Sequence, residues 1–326
     1  MTIVVTGAGG HVGGNLVRAL LEEGRAVRAV VRQDTRAVDG LPVEILRADV
    51  LDPVSLRKAF EGAKTVFHLA ARISITGAHG GLVERVNVEG PRNVAAACLD
   101  CKVARLVHFS SIHAFSAFPC DGIIDERRCQ TPPSHGMVYD RTKAAGEREI
   151  LAAVDKGLDA VIVNPTSIVG PHDYKPSRVG QVVLDLATRR LPALVDGGFN
   201  WVDVRDVVKG ALFAEKRGKK GERYLLGGQW RSVADLAALV ERTSGVKPPA
   251  FTSPMWLARV GAPFITAYSK LVGIEPLYTS DALYALRHHR HVSHAKARQE
   301  LGYAPRPLEE TIADTVAWFK AAGRIP

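Results

Sequence analysis

The chain has 326 residues, 46% hydrophobic and 24% charged, with a formal charge of +9 and an isoelectric point of about 9.5. That composition can fill a large core and contains no Pro/Ser-rich or low-complexity run, which excludes a disordered chain or two domains on a long linker. The basic residues are spread along the chain without interleaved aromatics, which excludes a nucleic-acid strip and leaves a phosphorylated small molecule as the anionic partner the charge suits.

Short β-branched runs alternate with helical patterns through the first half. "TIVVTG" reads as a strand, "HVGGNLVRALLEEG" as a helix, "AVRAVVR" and "VEILRAD" as strands, and "PVSLRKAFEG" as a helix. "TVFHLAA" follows as a strand, then one long helix through "VERVNVEGPRNVAAACLD", the strand "ARLVHFSS", the helix carrying Tyr139, and the strand "DAVIVNP". This alternation predicts βαβ units, hence an α/β fold with a doubly wound parallel Rossmann sheet. Beyond Pro165 the rhythm loosens: "VGPHDYKPS" and "VDGGFNWVDVRD" read as turns, "RYLLGG" as a strand, and most of the remainder as helix. The expected division is a dinucleotide-binding domain over 1–170, rejoined by 199–227, and a smaller C-terminal substrate lobe from 171–198 and 228–326. Right-handed crossovers bring the strand C-termini to one edge, near Thr6, Arg32, Asp49, Ala70 and Ser111.

"TGAGGHVGG" sets Gly7, Gly10 and Gly13 directly after the first strand and at the opening of the first helix. Glycines there let the backbone approach a pyrophosphate, whose charge the helix N-terminus favours. At the end of the second strand Arg32, with Arg36 four residues on, suits the 2′-phosphate of NADP(H), while Asp34 is an alternative ligand for an NAD(H) ribose. In "MVYDRTKAAGE" Tyr139 and Lys143 are four apart on a helix, so their ends can converge, and an ammonium beside a phenol favours the phenolate. "HFSSIHAF" adds a hydroxyl ahead of that helix. The four cysteines are too few for a disulfide framework, and Cys98 with Cys101 reads as a structural pair of thiols. The N-terminus enters a strand without a basic leader, so a cytoplasmic location is expected. The longest apolar stretch, "MWLARVGAPFITAYSKLVG", is broken by Arg259, Pro263 and Lys270; it reads as cover over a pocket or an oligomer surface, with no membrane span. His288, His289, His291 and His294 have no accompanying carboxylate or cysteine, so no metal site is expected, and they read as a solvated turn or a basic rim.

With these motifs in order, joined by "ADVLD", "NPTSIVGP", "WVDVRDVV" and "KARQELGYAPRPLEETIADTVAWF", the chain resembles the extended short-chain dehydrogenases/reductases of the NAD-dependent epimerase/dehydratase family over nearly its whole length. It looks most like the dihydroflavonol-reductase and 3-beta-hydroxysteroid-dehydrogenase-like subgroup. The resemblance implies that Tyr139 is the general acid, Lys143 lowers its pKa and holds the nicotinamide ribose, Ser111 bonds the substrate oxygen, and Asn87 assists. It implies cofactor contacts from Thr6, Gly7, Gly10, His11, Val12, Gly13, Arg32, Arg36, Asp49, Val50, Leu69, Ala70, Ala71, Tyr139, Lys143, Asn164, Pro165 and Ser167. A homodimer packed through helices at 82–101 and 139–155 is also implied. Among the departures, His11 stands between the second and third glycines, either close to the diphosphate or facing solvent. The expected activity is NADP(H)-dependent hydride transfer between a ketone or aldehyde and its alcohol, on an apolar small molecule. A nucleotide-sugar epimerase or dehydratase retaining NAD is the alternative, weakened by Arg32, by the apolar lobe, and by Ile112 and His113 standing where dehydratases carry an Asp-Glu pair. A non-catalytic NADP-binding regulator fits less well, because Ser111, Tyr139 and Lys143 are all present.

Overall fold

The first half of the chain forms, in a computed structural model that describes residues 2–325 apart from 76, 121, 135 and 263–278, a regular alternation. It runs β1 (Thr2–Thr6), α1 (His11–Glu22), β2 (Val27–Val31), β3 (Glu44–Arg47), α2 (Pro53–Phe60), β4 (Ala63–His68), α3 (Leu82–Glu84), α4 (Gly90–Asp100), β5 (Arg105–Phe109), α5 (Val138–Asp155) and β6 (Ala160–Pro165). The second half contains β7 (Ser167–Val169), α6 (Arg178–Ala187), β8 (Leu194–Val195), β9 (Gly198–Asp203), α7 (Val204–Arg217), β10 (Arg223–Leu226), β11 (Gln229–Ser232), α8 (Val233–Ser244), β12 (Thr252–Ser253), α9 (Ser280–Ala285) and α10 (Leu308–Ala321).

Seven strands form one parallel sheet in the order β10-β6-β5-β4-β1-β2-β3. Both faces are covered, as an all-parallel sheet requires, so the central strands are near-continuous apolar runs. One face packs on α1 and α7 through Leu16, Leu20, Val207 and Ala211; the other packs on α2, α4 and α5 through Leu56, Val94, Cys98 and Ile150. The order reverses between β1 and β4, and that is where a ligand cleft opens at the strand C-termini. A second core, with Leu184, Leu236, Leu286, Ile312 and Phe319, joins α6, α8, α9 and α10 around a three-stranded sheet ordered β11-β9-β7.

Two expectations fail here for identifiable reasons. Residues 198–203, expected within a turn, are a strand paired antiparallel with β11. Its opening glycine is required by close backbone approach, since a Cβ on Gly198 would lie 2.3 Å from the Arg231 carbonyl oxygen. The expected single helix over 83–100 is interrupted by a π turn at Arg85–Glu89 before α4 begins. Pro91 lacks the N–H that would bond the Asn87 carbonyl, and α5 leans on that same carbonyl through Gly146. Residues 263–278 of the apolar stretch lie outside the described residues; among those described, no helix is long and apolar enough to cross a membrane.

A Cβ on Gly146 would sit 2.3 Å from the Asn87 carbonyl oxygen. Gly146→Ala should therefore lower stability by about 1–3 kcal/mol in urea unfolding. An unchanged urea midpoint would show that the two helices are free to separate.

Candidate active site

At the reversal point a cleft of about 390 Å³ is lined by Thr6, Gly7, Gly10, Arg32, Asp49, Val50, Leu69, Ala70 and Ala71 of the expected set. Gly7 takes φ of 72°, and a Cβ on it would meet the Ala70 backbone nitrogen at 2.7 Å. Gly13 is excluded from larger residues by the Gly7 carbonyl oxygen, 2.2 Å from where its Cβ would be. Gly10 is different: its Cβ would approach only the Gly7 carbonyl oxygen, at 3.3 Å, so its bareness serves the cleft more than the protein interior. The α1 N-terminus behind it has no acidic residue in its first turn. A free helix start, a bare glycine and a cationic far end suit the diphosphate and ribose of a dinucleotide.

The far end holds a surprise. Lys175 lines the cleft beside Arg32, Gln33 and Asp34 although it belongs to a segment expected only as a turn. Arg36 is absent from the cleft wall; it grips Asp34 through Nε at 2.9 Å and Nη2 at 2.5 Å. That grip, followed by the positive charge of Lys175, holds the Asp34 carboxyl below its usual range. His11 does not face solvent: its Nε2 lies 3.0 Å from the Pro171 carbonyl oxygen and its Nδ1 is 3.9 Å from buried Asp173. Val12 packs against the core beside α1. Asn15 also donates to Pro171, at 3.1 Å, so the 171–177 segment that delivers Lys175 is pinned to α1.

On the other side of the sheet edge, α5 carries Tyr139 and Lys143. The helix N-terminus is fixed by Asp140, whose Oδ2 accepts from the Met137 backbone N–H at 3.4 Å. Lys143 is buried and donates to the Phe109 carbonyl oxygen at 2.9 Å. Burial depresses it to about 8, with Glu147 pulling the other way. Burial pushes Tyr139 up to about 12, with the Asp140 charge adding to the rise and the Ser111 hydroxyl opposing it. The phenol is therefore a firmly protonated group here, while the Lys143 ammonium is held on the Phe109 carbonyl.

The surroundings are tied down. Asn87 accepts from the Arg72 N–H at 2.8 Å, donates to the Arg72 carbonyl at 2.9 Å, and donates to Thr142 at 3.1 Å, clamping the cleft wall to α5. Asn164 donates to the Ser111 carbonyl at 3.0 Å and to Glu147 at 2.5 Å. Pro165 sits in β6 opposite Leu226, away from the cleft wall. His68 bonds Thr6 at 2.8 Å and lies tilted against His108, with ring centroids 5.2 Å apart; burial, then the Lys143 charge, lowers His68 to about 3. The histidine group expected as a solvated turn or rim is partly interior: His288 stacks on Tyr284 at 3.9 Å, and buried His289 meets the Phe115 carbonyl at 3.2 Å. No group of metal-binding side chains occurs among the described residues.

A second pocket, of about 210 Å³, opens beside Tyr139 and Ser167. Its walls are mainly Ile73, Val179, Val182, Leu191, Phe199 and Trp201, and Arg178 is the single arginine or lysine among the described residues lining it. His113 also lines it, with Nδ1 held 2.9 Å from Asp140. Neither this pair nor buried Glu147 was expected to matter from the sequence, because their partners are far apart in the chain.

Lys143 titrates near 8 when folded and near 10.5 when free, so between those values the unfolded chain binds the additional proton. The stability it contributes rises with pH across that window and is lost as pH falls through about 8. Urea unfolding of Lys143→Met should lack this rise; a slope equal to that of the wild type would place the buried cation elsewhere.

The model of the NAD dependent epimerase/dehydratase family matches residues 3–227. Sterol demethylase protein B of Methylococcus capsulatus is 37% identical over 331 aligned residues, covering 100% of both chains. A putative dihydroflavonol 4-reductase of Synechocystis is 34% identical over 98% of this chain and 95% of its own. The crystal structure of gox2253 superimposes with a TM-score of 0.86 at 36% identity, covering 100% of this chain and 99% of that one. The glycine cradle, the parallel sheet and these matches together make the chain a member of the NAD-dependent epimerase/dehydratase family, an extended short-chain dehydrogenase/reductase acting on CH–OH or C=O groups with a nicotinamide cofactor.

Proposed function

We propose that the protein is an NADP(H)-dependent oxidoreductase that reduces an apolar ketone or aldehyde to its alcohol, or runs the reverse reaction. The observation that carries this reading is the apolar pocket meeting Tyr139, with one arginine among its described lining residues. A nucleotide sugar brings a diphosphate of two charges and would need more cationic partners than such walls offer. That argues against the epimerase alternative. The reductase name of the Synechocystis relative agrees with the same reading.

Arg32 and Lys175 at the far end of the dinucleotide cleft support NADP(H) over NAD(H), and Asp34, occupied by Arg36, is a poorer ribose acceptor. When bound, the nicotinamide cofactor supplies or takes up the hydride. Tyr139 gives its phenolic proton to the carbonyl oxygen, a role that its high proton affinity keeps available at neutral pH. Ser111, next to that phenol at the end of β5, donates a hydrogen bond to the same oxygen. Lys143, charged below about 8, stabilises the phenolate left behind. Asn87 is a positioning residue, holding α5 against the cleft wall.

Tyr139→Phe keeps the ring and removes the proton. Its kcat/KM for ketone reduction should fall by about 10²–10⁴-fold, with NADPH binding preserved; turnover at the wild-type rate would sink the mechanism. Arg32→Ala should raise the KM for NADPH by roughly tenfold, the weight of a charge-assisted hydrogen bond. A wild-type KM lower for NADH than for NADPH would overturn the cofactor assignment.

A further inference from the structure

One polar side chain of the apolar pocket has no part in the proton transfer just described. His113 stands beside Tyr139 with ring centroids 5.5 Å apart, and its Nδ1 is 2.9 Å from Asp140 Oδ1. A carboxylate only accepts, so Nδ1 carries a ring proton and Nε2 lies on the opposite side of the ring, where it can meet a hydroxyl. Among the described residues Nε2 has no hydrogen-bond partner. Everything else about the residue is fixed. Its backbone N–H donates to Ser111 Oγ at 3.3 Å and its carbonyl accepts from Thr131 at 3.1 Å. Its ring rests at 5.1 Å against His289, which is itself anchored on Phe115. Asp140 is 2% exposed, so the orienting carboxylate is shielded from water.

A fixed hydrogen-bonding nitrogen in a largely apolar pocket discriminates strongly, because a substrate without a matching hydroxyl leaves it unpaired. We propose that His113 reads a hydroxyl on the carbon next to the reacting carbonyl, so that the preferred substrates are apolar α-hydroxy ketones, or vicinal diols in the reverse direction. The assignment rests on the reductase reading, which gives the carbonyl oxygen to Tyr139. The imidazole and phenol are ring neighbours, so an oxygen met by Nε2 belongs to a carbon close to that carbonyl.

The test compares benzoin with deoxybenzoin, which share one apolar skeleton and differ by the α-hydroxyl, as substrates with NADPH and with NADH. The wild type should favour benzoin in kcat/KM by roughly tenfold. His113→Phe should bring that ratio toward one, and His113→Gln, which keeps an acceptor oxygen, should restore part of it. A merely structural role for His113 would lower both activities and leave the ratio as it was, which would overturn the assignment. A wild type that reduces both ketones equally also overturns it while leaving the reductase reading intact. A wild type that reduces neither with either cofactor removes the reductase reading and this assignment with it.

Discussion

A buried negative charge on α5 has to be met from several directions, and the site is built around meeting it. Glu147 is 0% exposed. It accepts from Asn164 at 2.5 Å and from Gln130 at 2.8 Å, with Arg223 at 3.7 Å and Lys143 one helical turn away on the same face. Leaving such a carboxylate unpaired in the interior would cost several kcal/mol, so helix, sheet edge and the 111–131 segment are fixed relative to one another by a single constraint. Asn164 transmits it directly, since the same amide holds the Ser111 carbonyl.

The electrostatics of the reacting groups follow. With α5 seated this deeply, Tyr139 resists losing its proton and Lys143 resists keeping its own. Both shifts have burial as their first cause, and both move the pair toward neutrality. The carboxylates of Glu147 and Asp140 beside them are each engaged by hydrogen bonds that fix their direction. On the cleft side the same economy holds. Asn87 clamps Arg72 to Thr142, and Asn15 and His11 pin the segment that brings Lys175 beside Arg32. Two pockets, one cationic at its far end and one largely apolar, thereby lie on either side of the chain at Arg72 and Ile73.

The parallel sheet was legible in the sequence because its strands are buried on both faces and read as unbroken apolar runs between turn residues. The glycine loop and the Tyr139/Lys143 spacing were legible for a related reason: both are local, and short-range geometry assigns them a direction. What escaped was long-range. Gly197 and Gly198 made a strand look like a turn, since the partner that requires a glycine, Arg231, lies 33 residues beyond Gly198. Arg36 looked like a phosphate ligand until Asp34 claimed it, and the histidines near 288 looked solvated until Tyr284 and Phe115 covered them. Lys175, Glu147 and the His113–Asp140 pair carried no local pattern at all, because each acquires meaning only from residues that the fold brings to it.

The central claim is a dissociable NADP(H) used as a cosubstrate, and the nucleotide content of the purified protein addresses it most directly. Denaturation and chromatography should release no stoichiometric nucleotide, and titration of the empty protein should show tighter binding of NADPH than of NADH. Stoichiometric NAD(H) carried through purification would contradict the account and would point instead to hydride returned to the same substrate within one catalytic cycle.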